Sequence, residues 1–513
     1  MRKAFALACA LALAGPIWAA EPAPPAAGNV PPPSAGAPVK ARTDTGVVVG
    51  RQIGAVRAFK AIPYAAPPLG PLRWAPPAPA ARWAGERDAS SDGPACLQPV
   101  NADGRPNGGG FAGPVSEDCL TLNVWAPAAA HKAPVMVWIY GGGNVAGADS
   151  IAPNDGSSFA RDGVVLVAMN YRLGALGFFA HPALTAAAAP DAPLVNYGLL
   201  DQIAALQWVK RNIAAFGGDP DNVTVFGESA GGEDVLTLMV TPAARGLFRK
   251  ATVQSGLGWE TPPTLAQAEA SGTALATRLG LGEGATADQL RALPADRLVA
   301  AGGRYGPVID GRLEAESIAQ GFARSHQAAV PLIIGTNSWE ASLLPASGYA
   351  AYAAAASPGT RAAYGDEAAD PDRFAQALFT DTLMAAPARW LAARASARGG
   401  AWLYRFSYVR VNRRGKIPGA NHTSENPYVF DTQMIIPNYS AEIVDEDRRA
   451  AAFMHSCWVS FAKTGAPACE ADGRAWPAYN PNTDELMEFG LQAGIRQHFR
   501  RSQLDAVEAA NPR

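Results

Sequence analysis

At 513 residues the chain is long for one domain, although a large sheet covered by helices on both faces can bury a single core of that size. Lys plus Arg total 43 against 45 Asp plus Glu, a formal charge of −2, and no basic footprint for nucleic acid is encoded. The 48% hydrophobic content suits a globular enzyme, and no apolar run approaches the roughly 20 residues that cross a bilayer.

Residues 1–20 join a basic start, Arg2 and Lys3, to a short apolar core and small residues suited to cleavage, the pattern of a secretory signal peptide. Cleavage is expected near Ala19 or Ala20, with delivery to the periplasm or the medium and no membrane anchor left behind. Cys9 lies early in the apolar core, behind a poor lipid-attachment sequence. Residues 21–42 read as a Pro/Ala-rich tether unable to pack, and residues 43–510 as one domain.

The hairpin signal comes first: β-branched segments alternate with glycine between residues 43 and 61. Proline then dominates residues 62–74, which predicts an irregular loop hugging the surface. Four cysteines remain after Cys9, namely Cys96, Cys119, Cys457 and Cys469, and an even count in an exported chain predicts disulfides. Of the three possible pairings, nearness in sequence favours 96 with 119 and 457 with 469. Cys457 falls in a helix expected over 448–461, where a buried free thiol is the competing reading. None has zinc-site spacing.

Residues 120–125, 133–140 and 164–169 are apolar runs of the kind that form central strands. The second runs into a glycine loop, residues 141–147, whose backbone N–H groups suit a reacting carbonyl; a plain tight turn is the alternative. Ile203, Leu206, Val209 and Ile213 recur at helical spacing within 199–215. In residues 223–232 a β-branched run then stops at Gly227, presents Ser229 and reaches Gly231 and Gly232. That is strand, sharp turn and helix, with glycines where a nucleophile elbow leaves no room for Cβ atoms. A helix starting after Ser229 aims its free N–H groups and positive dipole end at any oxyanion formed there. Further strands are expected over 248–255, 330–335 and 402–406, with peripheral helices in the alanine-rich stretches 264–301 and 346–398.

Stretches 62–68 (IPYAAPP), 117–124 (EDCLTLNV), 138–143 (WIYGGG), 170–174 (NYRLG), 198–202 (GLLDQ), 227–232 (GESAGG) and 461–465 (FAKTG) stand in the order of type-B carboxylesterase landmarks. The chain resembles that family over nearly its whole mature length. The resemblance implies an α/β-hydrolase fold, with a large, mostly parallel central sheet, helices on both faces and inserted helical and loop regions. It also implies a Ser-Glu-His triad at Ser229, Glu340 and His422, and an oxyanion hole from the N–H groups of Gly142, Gly143 and Ala230. His422 lies in residues 419–425, which resemble the family's Gly-x-x-His-x-x-Glu, with Glu425 bracing the loop. Ser255 matches a family serine near the triad, though a strand-end hydroxyl bonded to backbone is the equal alternative. No metal or organic cofactor is implied.

Departures bear on substrate choice. Asn144 replaces the aromatic residue common after the glycines, Ala341 replaces a glycine after the acid, and Glu233 and Asp234 place two carboxylates on the first turn after Ser229, where they suit the helix dipole. The loop between Cys96 and Cys119 has Phe111 but no tryptophan, which disfavours choline esters held by cation–π contact. Tyr140, Asn144, Trp259 and Trp339 are the candidate pocket residues. If Arg410, Arg413, Arg414 and Lys416 line the pocket mouth, esters carrying free carboxylates are favoured by electrostatic steering. The reading is a serine carboxylesterase acting on a small-molecule ester. An amidase or carbamate hydrolase with the same triad, or a non-catalytic neuroligin-like binding module, is the alternative.

Overall fold

The computed structural model describes residues 36–436 and 439–511, so the expected leader and tether residues 21–35 lie outside the described chain. The described residues fall into two compact units. One holds residues 36–249 with Thr261–Ser317; the other holds Lys250–Glu260 with residues 318–436 and 439–511.

In the first unit the β-rich N-terminal segment forms β1 (Ala37–Arg42), β2 (Val47–Ile53) and β3 (Val56–Pro63), paired antiparallel in that order. The hairpin was legible, but residues 37–42 correct the tether's end. Their alternation turns Ala41 inward, and Pro38 is tolerated because β1 is an edge strand. The apolar runs become β4 (Thr121–Pro127), β5 (Ala133–Ile139) and β6 (Val165–Met169). β4 pairs antiparallel with β3 and β6, whereas β5 lies parallel to β6 and to β7 (Gly218–Glu228). Every residue of β6 is buried, which explains a run without polar alternation.

Two helices position the site. α1 (Tyr197–Asn212) buries Leu199, Ile203, Leu206 and Val209, and its Asp201 accepts two hydrogen bonds from the Arg172 guanidinium at 2.7 Å each. α2 (Ala230–Val240) follows β7 after a single residue. Further on, α3 (Leu265–Arg278) starts with a capping box between Thr264 and Gln267 and packs Leu275 and Ala276 against Leu184 and Leu290. The proline-rich loop is pinned inward more than expected. Tyr64 Oη donates to the Asn170 carbonyl at 2.6 Å and Trp74 Nε1 to that of Ala175 at 2.8 Å, both side chains being buried.

In the second unit β8 (Lys250–Gln254), β9 (Leu332–Asn337), β10 (Ala401–Phe406) and β11 (Glu485–Phe489) run parallel in that order, and β12 (Gly494–Gln497) closes antiparallel on β11. The alanine-rich stretch does form helices, but α4 (Ala386–Ser396) is not peripheral: Pro387, Ala388, Trp390, Leu391 and Ala392 are buried. Small alanines let it lie close to its neighbours. α5 (Asp445–Thr464) ends at Gly465, whose φ of 85° takes the left-handed capping conformation. Disulfides join Cys96 to Cys119 and Cys457 to Cys469.

Candidate active site

Ser229 is the N-cap of α2 and holds φ 55°, ψ −126°, a conformation that ordinary side chains avoid. Surroundings without room for Cβ atoms over-determine it. A Cβ on Gly227 would stand 2.4 Å from the Gly231 carbonyl oxygen, and one on Gly231 would stand 2.1 Å from that of Ile139. The serine is only partly buried, between the fully buried β7 end and α2.

The glycine loop lies against it. A Cβ on Gly141 would come 2.9 Å from Ser229 Cβ, and one on Gly142 would come 2.1 Å from the Ala146 carbonyl oxygen. Gly142, Gly143 and Asn144 have φ values of 101°, 65° and 57°, three left-handed residues in succession. The Gly142 carbonyl accepts from the N–H groups of Val145 and Ala146, while the N–H groups of Gly142 and Gly143 donate to no backbone carbonyl among the described residues. Ala230 N–H, at the first position of α2, has no partner within its helix. Such donors suit a developing oxyanion.

The second unit holds Glu340 and His422, the residues expected as acid and base. Glu340, fully buried in the short helix Glu340–Leu343 after β9, accepts at Oε1 from Asn337 N–H and Ser255 Oγ, both at 2.6 Å. Its Oε2 lies 2.6 Å from His422 Nδ1. A buried carboxylate accepts, so the imidazole carries its proton on Nδ1 and presents a basic Nε2. The histidine loop is tied along its length. Trp339 N–H donates to the Ala420 carbonyl at 2.8 Å, Asn337 Nδ2 to that of Asn421 at 2.9 Å, and His422 N–H to Ser342 Oγ at 2.9 Å. Glu425 is buried too and accepts from Asn337 Nδ2 and from Gln254 Nε2. Burial, helped by the nearby Glu340 charge, pushes its carboxyl above the ordinary range.

Several expectations need correction. Tyr140 is 1% exposed and stacks on Tyr171, with ring centroids 4.6 Å apart, so its side chain is interior. Asn144 is equally enclosed and donates to Asp234 Oδ1 at 3.2 Å. Asp234 is fully buried and also accepts from Gln202 Nε2 at 2.6 Å. Trp259 is buried, and Trp339 is half-buried with Nε1 on Gln376 Oε1 at 2.7 Å. The basic run is countered, with Arg414 paired to Glu446 at 2.5 Å and Arg410 to Glu442 at 3.5 Å. Asn337, Ser342, Gln202 and Gln254 escaped the sequence reading. Only Asn337 and Ser342, polar residues flanking Glu340 at a strand end, carried a local signal.

Among solved structures, a thermophilic PNB esterase matches with TM-score 0.79 and 33% identity, over 91% of this chain and 99% of that one. A Geobacillus stearothermophilus carboxylesterase matches with TM-score 0.79 and 31% identity, over 91% and 100%. The fold is therefore that of the α/β-hydrolases. A fumonisin B1 esterase of Sphingopyxis macrogoltabida is 36% identical over 489 residues, 88% of this chain and 86% of that protein. A para-nitrobenzyl esterase of Bacillus subtilis is 36% identical over 476 residues, 87% and 93%. The model of the carboxylesterase family matches residues 37–357 and 350–507; the chain belongs to that family and is a carboxylic ester hydrolase.

Proposed function

We propose that Ser229 is the nucleophile of this esterase, His422 its general base and acid, and Glu340 the group that orients the imidazole and offsets its positive charge. The observation that carries this reading is the buried Glu340–His422 pair, 2.6 Å apart, which fixes the base in the tautomer a serine hydrolase needs. Ser229 Oγ attacks the ester carbonyl as His422 Nε2 takes its proton. The oxyanion then rests on the N–H groups of Gly142, Gly143 and Ala230. Collapse of this intermediate releases the alcohol, protonated by His422, and leaves an acyl-enzyme on Ser229. Water activated by the same nitrogen hydrolyses it.

Matched short-chain esters and amides, presented to wild type and to Ser229→Ala, test the assignment. Ester turnover that exceeds amide turnover and falls by at least about 10⁴-fold in the variant is expected. Comparable rates on the amide would make the enzyme an amidase, and unchanged ester turnover in the variant would reject Ser229. Similarity to the Sphingopyxis enzyme places fumonisin B1 in the first substrate panel. The same reading makes the protein an exported one, supported by its two disulfides. A mature N-terminus just after Ala19 or Ala20 is expected from Edman sequencing of the secreted or periplasmic protein, and an intact Met1 there would contradict it. Among the described residues no helix is long and apolar enough to cross a membrane.

A further inference from the structure

Asn144, which follows the three glycines at the start of the loop 141–147, is pinned from two sides. Its carbonyl accepts from Gly174 N–H at 2.7 Å, and its side chain donates to Asp234 on α2 at 3.2 Å. Asp234 is braced in turn by Gln202 of α1 at 2.6 Å. All three side chains are buried. The loop bearing two of the oxyanion donors is thereby tied to the helix whose first N–H is the third. Asparagine also tolerates the φ of 57° found at this position better than most side chains do.

We propose that Asn144 and Asp234 are positioning residues for ester hydrolysis, a side-chain latch that holds the Gly142 and Gly143 N–H groups in register with that of Ala230. The proposal rests on the oxyanion hole assigned above. Donors must stand about 2.7–3.1 Å from the oxyanion, and small displacements weaken the charge stabilisation that lowers the barrier. Burial with only two amide donors pushes the Asp234 carboxyl up to about 7. The titratable groups that interact with it electrostatically are Tyr140, Tyr171 and Glu314; burial raises both phenols well above their ordinary value and Glu314 to about 8. When Asp234 takes a proton, its hydroxyl needs an acceptor. Among the described residues Asn144 Oδ1 and Gln202 Oε1 are both buried without partners, and either supplies one once its amide turns over. The latch therefore survives protonation, and Asp234→Asn, which donates to one amide and accepts from the other, keeps it.

The test measures kcat and KM of the full mature enzyme on a short-chain aryl ester for Asp234→Leu, Asn144→Gly, the double variant and Asp234→Asn, beside Ser229→Ala. Glycine at 144 keeps the left-handed backbone while deleting the side chain, so it isolates the latch if Asp234→Leu fails to fold. Expected are kcat losses of about tenfold to a hundredfold in each single variant with KM within about threefold, no further loss in the double, and near-wild-type kcat in Asp234→Asn. Wild-type kcat in Asn144→Gly, single-variant losses that multiply, or an Asp234→Asn variant as slow as Asp234→Leu would overturn the latch. Full activity in Ser229→Ala would instead overturn the reading beneath it.

Discussion

Glu340 has its carboxylate occupied on both oxygens, and that occupancy predicts how substitutions behave. Glu340→Gln keeps the shape but can donate toward Nδ1 of His422, which favours the wrong tautomer; kcat on a short ester should fall about 10³- to 10⁴-fold with little change in KM. Retention of a tenth of wild-type kcat would mean that Glu340 does not orient the base. Ser255→Ala removes one of two donors to Oε1 and should cost about tenfold in kcat, read at fixed pH with KM unchanged. Residues of this kind differ in how far the sequence exposes them. Ser229 and His422 announce themselves through neighbours within three positions, the glycines at 227 and 231 and Gly419 with Glu425. Asn144 and Asp234 stand 90 positions apart and meet only through folding, so each read as an isolated oddity.

The β7–α2 turn works because strand and helix approach without side chains between them. Gly231→Ala would drive a Cβ to 2.1 Å from the Ile139 carbonyl oxygen, and urea unfolding should show a loss of about 3 kcal/mol; a loss below about 0.5 kcal/mol would show that the turn relaxes freely. The Cys96–Cys119 bridge spans 23 positions, and replacing both cysteines by serine should lower stability by about 3 kcal/mol in the same measurement. Strands β5 and β6 were legible because burial leaves continuous apolar runs. β1 was not, since its proline and small residues resemble a linker until β2 supplies the ladder. Likewise α4 was legible as a helix but not as a buried one, because alanine carries no preference between surface and close packing. The pairing of Arg410 and Arg414 with Glu442 and Glu446 depends on a segment some thirty residues away and leaves no local mark.

At the scale of the molecule, buried acids set how stability varies with pH. Burial pushes the carboxyls of Asp234 and Glu314 up to about 7 and 8, so the native protein holds protons that the unfolded chain has released. Their contribution is complete below the ordinary carboxylate range near 4 and is lost as pH rises through 7 and 8. Glu314→Gln, which can still accept from the Thr241 hydroxyl, should gain on wild type by on the order of 3 kcal/mol between pH 5 and pH 9 in urea unfolding; parallel pH curves would contradict this. Family membership and the order of landmarks were visible throughout the chain. In the sheet, the parallel strands and the β2–β3 hairpin match the expectation, whereas the antiparallel pairings of β1 with β2, β3 with β4 and β4 with β6 left no mark, because apolar runs do not record strand direction. The central claim is that Ser229 reacts and that His422 makes it reactive. Peptide mapping after treatment with an aryl phosphonate tests it most directly. One adduct on Ser229 in wild type, and none in Ser229→Ala or His422→Ala, is the expected result; an adduct elsewhere, or wild-type labelling of His422→Ala, would contradict the account.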